Sequence, residues 1–147
     1  MMVTKDGAKT LKQMNSAKHG INMVIDKENS PKGGYLFGET QSNVRIRTYN
    51  GKEISKDLAD TKIVLYEKNI QLAISTGKVN IEGREFDLKA LTVDDYLGVA
   101  AVHEGIHGTD KTSSSATNPN GTRDEREKKP YEVQIKALED LQKLRNP

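Results

Sequence analysis

The chain of 147 residues contains no cysteine and no tryptophan, and aromatic residues make up only 5% of it. The absence of cysteine excludes disulfide bonds, a thiolate nucleophile and cysteine-ligated zinc. Few aromatics and a formal net charge of only +2 argue against nucleic-acid binding, which combines a basic surface with aromatic side chains for base stacking. No apolar run approaches the roughly 20 residues of a membrane span. The composition therefore predicts neither a nucleic-acid partner nor a membrane-spanning segment.

Charge is abundant but balanced, with 23 basic and 21 acidic side chains. Disorder requires low hydrophobicity together with high net charge, so most of the chain is expected to fold. Its length suits one domain covering residues 1–147. Residues 1–20 are polar and are predicted to be disordered. Residues 111–129 are predicted to form a flexible loop, because this polar stretch is longer than an ordinary connection.

The first 90 residues are predicted to be mainly β-strand. The segments "INMVID" and "NVRIRTY" have the composition or alternation of strands, and Asn50-Gly51 is a strong hairpin signal. The β-branched stretch "TKIVLYEKNIQLAIST" (61–76) predicts two short strands around "EKN", or one strand with a bulge. "KVNIEGREFDL" predicts a second hairpin that turns at Glu82-Gly83.

Two helices are predicted in the last third of the chain. Residues 91–108 have a capping residue at Thr92 and a stop signal at Gly108, with apolar side chains at helical spacing between them. The histidines at 103 and 107 continue that apolar stripe, so they are expected on the buried face. The second helix is predicted over 130–146, with Pro130 in its first turn. The expected fold class is α+β, with a small twisted, mainly antiparallel sheet packed on these two helices.

The first of these helices carries the sequence "HEGIH". Residues i and i+4 lie on one face of a helix, so His103 and His107 can direct ring nitrogens at a single Zn2+ ion. Glu104 lies about 100° further round the helix, where its carboxylate can serve as a general base. The alternative is a chance pattern of polar residues, although burying two histidines and a glutamate without a metal would be costly.

A catalytic zinc site commonly has three protein ligands. His19 is the only other histidine and lies in a distant polar segment, so carboxylates are the better candidates. Glu132 is favoured because it opens the last predicted helix, and Glu139 is seven residues further along the same helix. A run of acidic residues just before that helix is expected to be solvated surface: Asp124, Glu125 and Glu127.

The "HEGIH" motif followed by "YEVQIKAL" resembles the zincin metallopeptidases, and among them the gluzincins, whose third ligand is a glutamate on a later helix. The resemblance covers residues 92–145 and a preceding sheet. It implies His103, His107 and Glu132 as Zn2+ ligands, Glu104 as general base and a peptide or protein substrate. The metzincin extension is absent. The aspartate-ligand branch is matched only by "GTRD", which makes Asp124 the runner-up ligand.

The zincin resemblance also implies an edge strand beside the cleft, for which "TKIVLYE" or "IQLAIST" would suit. Either segment could equally be a core strand, and at least one of them is expected to be. Asp110 could accept a hydrogen bond from a ligand histidine, or it could be a solvated aspartate at the helix end. Tyr131 could stabilise the transition state as a hydrogen-bond donor, or it could simply anchor the last helix in the core.

In its general layout the chain also resembles the compact metallopeptidase domains at the C-termini of bacterial polymorphic toxins, including those joined to Rhs repeats. That likeness implies delivery as part of a larger, secreted bacterial protein and neutralisation by an immunity protein. The alternative function, from another class, is a non-catalytic binding module with a structural metal or none.

Overall fold

The computed structural model describes Lys12, Met14 and residues 19–146. The predicted disorder of residues 1–20 falls almost entirely outside this range. The described chain is α+β, as the sequence predicts, with a three-stranded sheet, a two-stranded sheet and three α-helices. None of the helices described is both long enough and apolar enough to cross a membrane.

The larger sheet is formed by β1 (Ile21–Asp26), β2 (Gly38–Tyr49) and β3 (Lys52–Tyr66), in the order β1-β3-β2. β1 runs parallel to β3 and β2 runs antiparallel to it, so the sheet is mixed and β2 is an edge strand. The predicted hairpin at Asn50-Gly51 is confirmed: both residues have positive φ, 51° and 74°. That geometry follows the right-handed twist of the two strands.

The second hairpin is also confirmed. β4 (Lys78–Ile81) and β5 (Arg84–Asp87) pair antiparallel. The turn between them has positive φ at Glu82 (51°) and Gly83 (80°). The Asn80 side chain accepts a hydrogen bond from the Gly83 amide at 3.0 Å and braces this turn.

The strand prediction for residues 61–76 is wrong in its second half. β3 ends at Tyr66, and α1 (Glu67–Thr76) follows without a loop. Ile70 and Ala73 face the core at helical spacing, and Gly77 ends the helix in the left-handed conformation with φ 83°. Asn69, fully buried, binds the carbonyls of Pro31 and Leu36 and so ties α1 to the loop before β2.

The motif helix, α2 (Val93–Thr109), begins directly after the predicted cap Thr92, two residues later than the predicted range 91–108, and ends one residue later. Thr92 and Asp95 form a reciprocal capping box, with hydrogen bonds of 3.1 and 3.0 Å. α2 packs against β2 and β3 and against the last helix, so it is buried on nearly all sides and not only on its histidine face. Leu65, Ile70, Tyr96, Ala100 and Leu138 are among the side chains of the surrounding core.

The last helix, α3 (Arg123–Arg145), begins seven residues earlier than predicted. The side chain of Thr122 caps it by accepting a hydrogen bond from the Glu125 amide at 3.1 Å, and acidic residues in the first turn favour its dipole. Pro130 is therefore inside the helix, and the predicted flexible loop at 111–129 is wrong at both ends. Lys111–Ser113 is a short 3-10 helix, and residues 123–129 are α-helical.

Asp95 joins the start of α2 to the end of α3. Its carboxylate is 2% exposed and accepts hydrogen bonds from Arg145 at 2.8 and 3.1 Å. Although burial alone would raise the pKa of Asp95, the bonds from Arg145 and Thr92 lower it below the ordinary aspartate value. A carboxyl group with a lowered pKa stabilises the fold above its unfolded pKa of about 3.9, and this stabilisation is lost as pH falls through the folded pKa.

Replacing Asp95 by alanine is therefore expected to lower the free energy of unfolding at pH 7 by about 1–2 kcal/mol, through loss of the cap and the buried ionic bonds. Urea denaturation at several pH values measures this effect. The deficit relative to wild type should shrink as the pH is lowered below 4, because the wild-type carboxyl becomes protonated. A pH-independent deficit would contradict this role for the carboxylate. Asp140→Ala is the control, because Asp140 makes no ion pair among the residues described.

Candidate metal centre

Three side-chain atoms from α2 and α3 converge on one point. The Nε2 atoms of His103 and His107 are 3.2 Å apart, and the Oε2 atom of Glu127 is 3.2 Å from each of them. These three residues are a group that could hold a metal ion. The motif histidines are brought together as the sequence predicts, and the third member comes from the first turns of α3.

The other nitrogen of each ring is bound to a backbone or amide oxygen. His103 Nδ1 lies 2.6 Å from Gln134 Oε1, and His107 Nδ1 lies 2.6 Å from the carbonyl of Ser113. An oxygen acceptor at Nδ1 requires the proton there, which leaves the lone pair of each Nε2 directed at the cluster centre. Partners of this kind orient metal-bound histidines in known centres.

Without a cation, three lone-pair atoms would face each other at 3.2 Å and repel. Burial would lower the pKa of His107, but the carboxylate of Glu127 and the Ser113 carbonyl reverse the shift and raise it. Likewise, burial would raise the pKa of Glu127, but its bonds with both histidines lower it strongly. The first shift favours positive charge on the His107 ring, and the second keeps Glu127 in its negatively charged carboxylate form.

The donor set fits zinc. Zinc–nitrogen and zinc–oxygen bonds of about 2.0–2.1 Å in a tetrahedron separate the ligand atoms by about 3.3–3.4 Å. The observed triangle has sides of 3.2 Å. Two neutral imidazoles and one carboxylate are also ligands that catalytic zinc sites use, and three protein ligands leave one position open.

Glu104 lies beside this triangle and is not part of it. Its Oε2 atom is 3.9 Å from His103 Nε2, and its Oε1 atom accepts a hydrogen bond from Thr40 at 2.9 Å. The residue is only 7% exposed. Burial raises the pKa of Glu104, although the two histidines and Thr40 act in the opposite direction. A buried carboxylate with a raised pKa is suited to accept a proton.

Gly38 makes room for this carboxylate. A Cβ atom at position 38 would lie 2.8 Å from the Cγ atom of Glu104 and 3.1 Å from the carbonyl oxygen of Val64. The first contact is shorter than real Cβ atoms show, so any side chain there would displace Glu104. The glycine at the start of β2 therefore sets the approach of the sheet edge to the motif helix.

The two carboxylates predicted as third ligands lie elsewhere. Glu132 is five residues after Glu127, which places it about 140° around α3, and it is exposed. Asp124 is exposed in the first turn of the same helix. The structure brings Glu127 to the two histidines, and neither Glu132 nor Asp124, although the sequence had assigned Glu127 to solvated surface. The physical reason is the early start of α3, which brings its first turns over the histidines.

The remaining predicted site residues take less direct positions. Asp110 does not bind a histidine: its carboxylate accepts hydrogen bonds from the amide and the hydroxyl of Ser113, at 3.1 and 2.6 Å. It therefore orients His107 through the Ser113 carbonyl. Tyr131 packs edge-on against the ring of His103, with centroids 4.7 Å apart. His19 makes no hydrogen bond to the cluster; its Nε2 atom lies 3.0 Å from the carbonyl oxygen of Gly108.

The cluster opens into a cleft of about 740 Å³. The edge strand β2, from Gly38 to Ser42, lines this cleft, and so do residues 113–116. Arg123 and Tyr131 from α3 line it as well. Neither segment predicted as an edge strand is one: "TKIVLYE" belongs to the central strand β3, which agrees with the alternative of a core strand, and "IQLAIST" is helical.

Three further residues that contact the side chains of the centre were not predicted from the sequence: Thr40, Ser113 and Gln134. Only Gln134 could have been found, as a polar residue four positions after Pro130 and four before Leu138 on the buried face of α3.

Comparison with protein-family models, with curated proteins and with solved structures finds no match.

Gln134→Leu is expected to weaken zinc binding by about 10- to 100-fold, because His103 loses the acceptor that fixes its proton on Nδ1. A competition titration with a fluorescent zinc chelator measures the change. Gln142→Leu is the matched control: it lies on the same helix and binds the carbonyl of Asp87, away from the centre. Equal zinc affinity in Gln134→Leu and wild type would show that this hydrogen bond does not orient the ligand.

Proposed function

We propose that the chain is a zinc-dependent peptidase whose metal ligands are His103, His107 and Glu127 and whose general base is Glu104. The observation that carries the proposal is the triangle of ligand atoms at 3.2 Å with an unengaged carboxylate oxygen next to it. A purely structural site would not need Glu104 buried at the open side of the cluster.

Zinc held at this centre would lower the pKa of a bound water towards 7 and polarise a substrate carbonyl. The task of Glu104 is proton transfer. Its Oε2 atom takes the proton of the attacking water and then delivers it to the leaving amine nitrogen, while the Thr40 hydroxyl holds Oε1 in place. The buried position of the carboxylate keeps it from competing solvent hydrogen bonds.

The edge of β2 that pairs with no other described strand supports a peptide as the substrate. An edge strand presents unpaired amide and carbonyl groups, and an extended peptide can satisfy them by adding as another strand. Residues 38–42 of β2 line the cleft directly beside the cluster. A peptide bound along them would pass its backbone in front of His103, His107 and Glu104.

The test begins with metal-free protein prepared with a chelator and dialysed. In this state we expect no hydrolysis of an unfolded protein substrate. Addition of one equivalent of Zn2+ should restore cleavage. Mass spectrometry of the products measures both results. Tight stoichiometric zinc without cleavage of any peptide library would favour the alternative, a binding module with a structural metal. Cleavage that is indifferent to zinc would contradict the proposal.

A further inference from the structure

A side pocket of about 160 Å³ adjoins the cluster. We define it by Tyr35, Phe37, Ile81, Glu82 and Tyr131, and of these Tyr131 also lines the main cleft. It shares His103, Glu104 and Gly38 with that cleft, so it opens beside the place where a scissile bond would lie. A pocket of this size holds one amino-acid side chain rather than a longer ligand.

Aromatic and apolar side chains line the side pocket together with polar ones, and its carboxylate side chains come from two glutamates. The carboxylates of Glu82 and Glu104 line it, and no lysine or arginine does. Tyr35 is 86% exposed at the rim, where its ring is free to cover an incoming group. Tyrosine faces and apolar walls suit the methylene stem of a long side chain, and the carboxylates suit a cationic end.

Glu82 is available for such a cation. It has no ion-pair partner among the residues described, although Arg84 two positions later pairs with Glu139. The tight β4–β5 turn fixes its backbone through the Asn80 bond to Gly83.

We propose that the side pocket receives a lysine or arginine side chain of the substrate, next to the bond that is cleaved, with Glu82 as its counter-ion. This inference rests on the proposed peptidase function, because it takes the bound side chain to be part of a peptide substrate. The affinity of the side pocket for a cationic side chain can be measured without any hydrolysis.

The probe is butylguanidinium, with butylurea as a neutral analogue of nearly the same shape. In the zinc-loaded protein we expect saturable shifts of the backbone amide resonances of residues 80–82 with butylguanidinium, and about fivefold weaker binding of butylurea. Glu82→Gln should abolish that difference. Glu85→Gln, an exposed glutamate on the same hairpin that does not line the side pocket, should preserve it. Equal binding of both probes to wild type, or the same loss in both variants, would overturn the inference.

Cleavage of a peptide library provides a second, separable readout. If the protein hydrolyses peptides, lysine and arginine should be enriched at one position beside the cleaved bond, and Glu82→Gln should reduce that enrichment. Cleavage without enrichment would overturn the side pocket inference and leave the peptidase standing. No cleavage, with selective butylguanidinium binding, would overturn the peptidase and leave the cationic pocket standing.

Discussion

Replacing Glu104 by glutamine is expected to lower the rate of peptide hydrolysis by about 100- to 10,000-fold, the usual contribution of a positioned general base. Glutamine has the same shape and can still accept the hydrogen bond from Thr40, but its amide cannot take a proton from water. Glu104 supplies none of the three candidate ligand atoms, which lie 3.2 Å from one another. The number of zinc ions bound per chain should therefore stay at the wild-type value. The measurement pairs initial rates with metal analysis of the same samples.

Two comparisons make the Glu104 result specific. Glu132→Gln removes an exposed carboxylate from α3 and should leave both rate and zinc content unchanged. Thermal unfolding of Glu104→Gln should match or exceed that of wild type, because a buried carboxylate with a raised pKa is replaced by a neutral group. Hydrolysis at the wild-type rate in a folded, zinc-loaded Glu104→Gln protein would exclude Glu104 as the base.

Replacing Glu127 by glutamine is expected to weaken zinc binding by more than the roughly 10- to 100-fold that loss of an outer hydrogen-bond partner costs. The Oε2 atom of Glu127 lies 3.2 Å from both histidine nitrogens, so the substitution removes a direct ligand and its negative charge. Zinc affinity by chelator competition and hydrolysis at limiting zinc should both fall. High zinc should partly restore the rate, because Glu104 is untouched.

The control for Glu127 is again Glu132→Gln, since the sequence alone favours Glu132 as the ligand. The two variants have identical chemistry and lie five residues apart on one helix. The structure predicts a large loss of affinity for Glu127→Gln and none for Glu132→Gln. The reverse pattern would show that α3 is rotated or shifted relative to the arrangement described here.

The motif helix was predictable because its signals are local. Thr92 and Asp95 are close enough in sequence to form a recognisable cap, and the spacing of His103 and His107 follows from helical periodicity alone. The Asn50-Gly51 hairpin was predictable for the same reason, since positive φ at two successive positions strongly selects such residues.

The third member of the cluster was not predictable because it depends on where α3 begins. Pro130 is a strong signal for a first turn, and the sequence "RDERE" resembles solvated surface. The Thr122 cap and tertiary packing against α2 extend the helix to Arg123 despite the proline. That extension brings Glu127 to the histidines. The contact joins residues about 20 positions apart, so no local sequence signal predicts it.

The edge strand was missed because β-branched residues are a poor guide to secondary structure in residues 61–76. The first half forms the central strand β3, while the second half becomes α1, where Ile70 and Ala73 pack at helical spacing and Gly77 provides the cap. Tertiary burial outweighs local propensity in such segments. The cleft wall is therefore built by β2, which the hairpin alone does not identify as an edge.

The most direct test of the His103–His107–Glu127 centre is a crystal structure of zinc-loaded protein with anomalous diffraction data collected on both sides of the zinc absorption edge. We expect one strong anomalous peak about 2.0–2.2 Å from both Nε2 atoms and from a carboxylate oxygen of Glu127. The assignment would be contradicted by a zinc ion bound to other side chains, by a zinc ion bound to Glu132 in place of Glu127, or by the absence of an anomalous peak between these three residues.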